Sequence, residues 1–200
     1  MQRQAKEFQL SNLDGISERQ IAEHMTLYQG YVKKLNEIME RLPGADRAAA
    51  NQNYSEIREL KLEQPFNLNA IMLHEAYFGN LGGKGSEPSD AVRGAMERYF
   101  GSLEKWEEDL KAAGMAARGW VVTAFNWDDG QVYNISMDRH DIGALWSGSM
   151  LVVLDTYEHA YFLDYGSKRA PYLEAFLRNL NWDEVNRRVE STLRMAGVGA

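Results

Sequence analysis

The stretch Leu154-Asp155-Thr156-Tyr157-Glu158-His159-Ala160-Tyr161-Phe162-Leu163-Asp164-Tyr165 sets a carboxylate and an imidazole, Asp155 and His159, four residues apart. On a helix, side chains at that spacing share a face, with Cβ atoms roughly 5–6 Å apart. Both could then reach one transition-metal ion through oxygen and nitrogen. A metal site is the first expectation. The bland alternative makes Asp155 a helix cap, His159 a core histidine and Glu158 a solvated charge, so the decision rests on ligands elsewhere in the chain.

Outward from this stretch, Ser149 to Leu154 is a largely apolar strand that delivers Asp155 at its end. Before it, Trp120–Asn126 and Gln131–Met137 flank Trp127-Asp-Asp-Gly130, and the Asp-Gly pair marks a hairpin turn. His140 follows in the polar connection Ser136-Met-Asp-Arg-His-Asp141, where an exposed loop histidine would be ordinary. Two amphipathic helices precede the strands, at about Ser89 to Phe100 and Ser102 to Ala113. Ahead of them, Gly82-Gly-Lys-Gly-Ser-Glu-Pro88 is the strongest linker signal. It divides an N-terminal helical domain, residues 1–85, from a C-terminal α+β domain, residues 86–200.

The N-terminal part reads as helices throughout. Ser17-Glu-Arg-Gln20 has the form of a capping box. From it, Ile21, Met25, Tyr28, Val32, Leu35, Ile38, Met39 and Leu42 make a stripe of 3.6-residue period that stops near Pro43-Gly44. His24 lies on that stripe. Ala45 to Leu62 is helical by composition with a start at Ser55, Pro65 is expected to break the chain, and a new helix runs from Asn67 to Asn80. That helix is apolar almost all round, so His74 within it needs a partner, and a metal is one such partner. Together these elements predict an α+β fold: a long helical hairpin, then an α/β lobe around a three-stranded antiparallel sheet.

Composition narrows the function. The chain has 200 residues, 44% of them hydrophobic and 26% charged, enough for a soluble core. Without cysteine there are no disulfides, thiolate metal sites or cysteine nucleophiles, so a metal must use His, Asp or Glu. The lack of an apolar signal core or a membrane-length apolar run predicts a cytoplasmic protein. A formal charge of −7 argues against nucleic acid as the main partner.

The segment Asp155-Thr-Tyr-Glu-His-Ala-Tyr-Phe162 resembles the D-x-W-E-H-A-Y-Y signature of the iron/manganese superoxide dismutases, with Tyr157 in place of Trp and Phe162 in place of the second Tyr. Ile16-Ser17 before His24, Tyr31-Val-Lys-Lys-Leu-Asn36 after it, and the Asn-Ala-His-Tyr pattern leading through His74 to Tyr77 are similar to the family's two ligand helices. The resemblance implies His24, His74, Asp155 and His159 as metal ligands, Tyr31 as gatekeeper over the metal, and Tyr77 in the aromatic wall. It places His140 where manganese-type members have a glutamine that hydrogen-bonds metal-bound solvent and the gatekeeper. The iron-type glutamine position is Ala70. Arg169 would line the entrance. The implied activity is disproportionation of superoxide to oxygen and hydrogen peroxide at one iron per subunit, manganese being the second choice. The implied assembly is a homodimer bridged by Glu158 and His159 across a twofold axis, or a tetramer.

Two departures from the pattern follow. His24 and Tyr31 are seven residues apart where the family usually has eight, a change most easily absorbed by losing or gaining a helical bulge. The family's second histidine on this helix has no counterpart, and Tyr28 lies near its place. A non-catalytic metal-binding dimer descended from the same family is the rival reading, and an iron oxygenase with a facial triad is a further one.

Overall fold

The computed structural model describes residues 2–197. Helix α1 (Glu18–Arg41) opens where Ser17 caps it, its hydroxyl accepting from the Gln20 backbone N–H at 3.0 Å. The apolar stripe is its buried face, with Ile21, Tyr28, Val32, Leu35 and Ile38 inside. Only half of the expected capping box forms, because the Gln20 side chain is buried against another part of the chain. The helix runs without a bulge. Seven residues are close to two turns, so the shortened spacing still leaves His24 and Tyr31 on one face.

The next stretch departs from expectation twice. Residues 45–55 form no helix, and α2 (Glu56–Gly79) starts where the Ser55 hydroxyl accepts from the Arg58 N–H at 3.3 Å. Helix α2 then passes through Pro65 without a break. Pro65 and Lys61 are both exposed, so the Lys61 carbonyl that loses its intrahelical donor can bond water. In the same turn the Asn67 side chain donates to the Glu63 carbonyl at 2.7 Å. Packing along α1 holds both halves in line: Gln64 meets Met39, Phe66 meets Tyr31, and Glu75 meets Tyr28. The two helices form the long antiparallel hairpin that the sequence predicted.

Helices α3 (Asp90–Phe100) and α4 (Leu103–Ala116) follow, capped by Ser89 and Ser102. Strands β1 (Trp120–Asn126), β2 (Val132–Met137) and β3 (Gly148–Asp155) make one antiparallel sheet in the order β2-β1-β3. Gly130, at φ 68°, supplies the left-handed residue of the β1–β2 turn. One face of β1 packs on α4, where the Trp106 indole donates to Thr123 Oγ1 at 3.0 Å. The other face carries Trp120, Val122 and Ala124 toward α2. Trp120 stands opposite Asp155 in register, and directly opposed residues point to the same face. The sheet thereby aims Asp155 at the helical hairpin.

Asp155 ends β3, and His159 lies in a separate 3-10 turn, Glu158–Ala160. The helix first expected over this pair is absent. Asp155 Oδ1 instead accepts from the Tyr157 N–H at 2.9 Å, a side-chain turn that reverses the chain as it leaves the sheet. Helices α5 (Phe162–Tyr165), α6 (Arg169–Arg178) and α7 (Trp182–Met195) complete the fold. One apolar core runs from α1 and α2 through the sheet to α6 and α7, and a smaller cluster of Ile38, Leu42, Ala45 and Leu60 closes the hairpin tip. Among the described residues no helix is long and apolar enough to cross a membrane.

Candidate metal centre

Three elements and one turn bring the predicted ligands together. His24 comes from α1, His74 from α2, Asp155 from the end of β3 and His159 from the 3-10 turn, and their ligand atoms all lie within 4.8 Å of one another. His24 Nε2 and His159 Nε2 are each 3.1 Å from Asp155 Oδ2, and His74 Nε2 is 3.8 Å from the same oxygen. Three of the four side chains are wholly buried, while that of His159 is 27% exposed. The His74 Nδ1–H donates to the Ala70 carbonyl at 2.6 Å, which fixes the tautomer and turns the Nε2 lone pair inward. That Nε2 has no hydrogen-bond partner. An orphaned buried nitrogen facing a carboxylate is costly, and a cation among the four atoms would satisfy it.

The protonation states suit that role. Burial disfavours the Asp155 carboxylate, yet His159 and His24 beside it hold its carboxyl well below the usual range. Burial lowers the His24 imidazole against the pull of Asp155. It lowers His74 to about 3. His24 and His74 are therefore neutral and Asp155 anionic at neutral pH, and three imidazole nitrogens with one carboxylate oxygen are a donor combination that fits iron or manganese.

Behind the candidate ligands stands a chain of hydrogen bonds. The Trp120 indole N–H donates to His140 Nδ1 at 2.9 Å, so the proton of the neutral imidazole sits on Nε2. His140 Nε2 lies 3.0 Å from the Tyr31 hydroxyl and donates to it. The Tyr31 hydrogen is then free to point elsewhere, and the Tyr31 ring lies 5.4 Å from that of His74. Burial raises Tyr31 to about 12 and lowers His140 to about 4, so both are neutral across the physiological range. Tyr77 packs against His24 at 5.0 Å between ring centres. Tyr172 donates to the Asp155 carbonyl at 2.7 Å, leaving the Tyr77 hydroxyl to donate to Tyr172 at 3.1 Å.

The comparisons with known proteins agree with this geometry. Residues 88–188 match the family model described as iron/manganese superoxide dismutases, C-terminal domain. The chain is 48% identical to a protein named superoxide dismutase [Fe] from Aquifex pyrophilus, over 92% of this chain and 88% of the relative. The chain belongs to the iron/manganese superoxide dismutase family. A second relative in that family, superoxide dismutase [Fe] from Cupriavidus metallidurans, is 37% identical over 92% of this chain and 93% of its own length. Superoxide dismutase [Mn] 2 from Haloferax volcanii is 33% identical over 86% and 85%.

Family resemblance also singled out Arg169 and Tyr28. Arg169, expected at the entrance, directs its guanidinium to the end of α4, with Nη1 donating to the Gly114 and Ala117 carbonyls at 3.1 and 2.6 Å. It acts there as a helix C-cap. Tyr28, near the place of the family's second histidine, accepts from the Lys6 N–H at 2.8 Å and donates to Glu75 at 3.0 Å, pinning the N-terminal arm. Trp120 and Tyr172 carried no sequence signal beyond a polar atom on a segment destined for the core, and Gln20 was read only as the end of a capping box; each acts through a partner distant in the chain.

Proposed function

We propose that His24, His74, Asp155 and His159 hold one iron ion, manganese being the second choice, and that Tyr31 and His140 manage protons beside it. The activity is the disproportionation of superoxide to oxygen and hydrogen peroxide. A bound iron or manganese ion supplies one-electron exchange between its oxidation states three and two. Peroxide needs protons as well as electrons. Tyr31, whose oxygen is engaged by the His140 Nε2–H, has its own proton available to the substrate cavity, and Trp120 keeps His140 in the tautomer that allows this. The aromatic shell of Tyr77, Phe78, Trp120 and Tyr157 around the ligand rings limits water to the open side near His159.

The observation that carries this reading is the unpartnered, buried His74 Nε2 aimed at Asp155 between two further imidazoles. Metal analysis and activity of the iron- and manganese-loaded protein test it. His74→Ala is expected to abolish metal retention and lower activity by more than a hundredfold, and a variant with full metal and full activity would overturn the assignment.

The assembly proposed is a homodimer through Glu158 and His159, on which a tetramer can be built. Its support is an exposed Glu158 beside Phe162 and Leu163, which are 50% and 48% exposed. The boundary between residues 1–85 and 86–200 is proposed at the glycine-rich connection, consistent with a family model that begins at residue 88. A cytoplasmic location is proposed from the chain's lack of cysteine.

A further inference from the structure

Gln20 carries a role that neither helix capping nor the ligand set explains. It precedes His24 by one turn on α1 and is 1% exposed. Both ends of its carboxamide are committed to the segment that bears His159. Nε2 donates to the His159 carbonyl at 2.5 Å, and Oε1 accepts from the Leu163 N–H at 3.1 Å. Three residues earlier, at the helix cap, the Ser17 N–H donates to Asp164 Oδ2 at 2.7 Å. Three hydrogen bonds thus fasten the first turn of α1 to residues 159–164.

His159 needs such an anchor. It sits in a single 3-10 turn that has no side-chain cap, between the end of β3 and the short α5. Its imidazole nevertheless has to stand as close to Asp155 Oδ2 as His24 does, at 3.1 Å each. His24 rides on a long helix. His159 is held to that helix by the Gln20 carboxamide, and the group must donate at one end and accept at the other, which only an amide does at this length. We propose that Gln20 is a positioning residue: by tying the His159 backbone to the helix of His24, it sets the separation and orientation of two ligand imidazoles. This rests on the reading of the four side chains as one metal site.

The test uses iron-loaded protein and three variants. Gln20→Met keeps the length and removes both hydrogen bonds; Gln20→Glu keeps the acceptor and sets a carboxylate oxygen against the His159 carbonyl. Asn179→Ala is the control, since Asn179 is another buried amide, clamping Asp14 at 2.7 Å through its backbone but touching no ligand. Loss of a group that orients a metal ligand typically costs 10–100-fold in affinity. Both Gln20 variants are therefore expected to release iron to a chelator about 10-fold faster or more and to alter the electron paramagnetic resonance spectrum of the ferric protein. Asn179→Ala should lower the unfolding midpoint with wild-type spectrum and release rate. If the Gln20 variants behave as Asn179→Ala does, Gln20 is a packing residue and the proposal fails. If wild-type protein binds no iron or manganese, the site reading fails and takes this inference with it. Should Gln20→Met not fold, Gln20→Glu alone decides, by the same two readouts.

Discussion

His140 shows what one side chain can do when its tautomer is fixed. With Trp120 donating to Nδ1 and Tyr31 accepting from Nε2, its imidazole has one donor to give, whereas a glutamine amide in its place would have two. Residues that hydrogen-bond around a metal site tune it without ligating it. His140→Gln is accordingly expected to keep the wild-type metal content while changing the ratio of iron-supported to manganese-supported activity several-fold. Loss of metal in this variant would show His140 to be part of the ligand set. Trp120→Phe leaves the buried Nδ1 lone pair unpaired, at about 1–3 kcal/mol, and should lower activity without lowering metal content. The four candidate ligands were legible in the sequence only through the family resemblance, since the Asp155–His159 spacing by itself suits a helix cap and a core histidine equally well. The Trp120–His140 bond was not, since nothing local marks two residues twenty positions apart as partners.

At the scale of elements, periodicity and caps located α1, α3, α4 and the three strands closely, because each carries its own hydrophobic face and its own start signal. Three readings failed: residues 45–55 form no helix despite their composition, packing along α1 carries α2 through Pro65, and the Asp155–Tyr157 side-chain turn replaces the helix that the Asp155–His159 spacing suggested. Helix α7 gives a measurable case of such packing. Arg188, 12% exposed, donates to Glu184 at 2.8 Å, to Asn80 Oδ1 at 2.8 Å and to the Ala76 carbonyl at 3.1 Å, joining α7 to the end of α2. Arg187 bonds the same glutamate at 2.7 Å but is 67% exposed. Removing one partner of a buried ion pair costs roughly 3 kcal/mol or more, whereas an exposed pair contributes about 0–1 kcal/mol. Urea unfolding of the metal-free protein should show Arg188→Ala destabilised by about 3 kcal/mol and Arg187→Ala by less than about 1 kcal/mol. Equal effects would mean that Arg188 does not dock α7.

For the whole molecule, the open question is what covers the side of the site where His159 is 27% exposed. The side chains of His24, His74 and Asp155, the other three candidate ligands, are sealed within the chain. Glu158 is exposed next to it, and Phe162 and Leu163 place two large apolar side chains on the adjoining surface at 50% and 48% exposure. A twofold interface across this region would bury those apolar groups against their own copies and bring each Glu158 to the other subunit's turn, using one surface patch twice. Charge-assisted hydrogen bonds formed in pairs across such an axis would be lost in pairs. Glu158→Gln keeps the shape and removes the charge, so it should raise the dimer dissociation constant by a factor of ten or more in sedimentation at micromolar concentration. Because the same contact shields His159, iron release should accelerate in step with dissociation and slow again as protein concentration is raised. A variant that stays dimeric at every concentration and holds its iron as the wild type does would remove Glu158 from the interface and leave the exposed edge of His159 to be covered by something else.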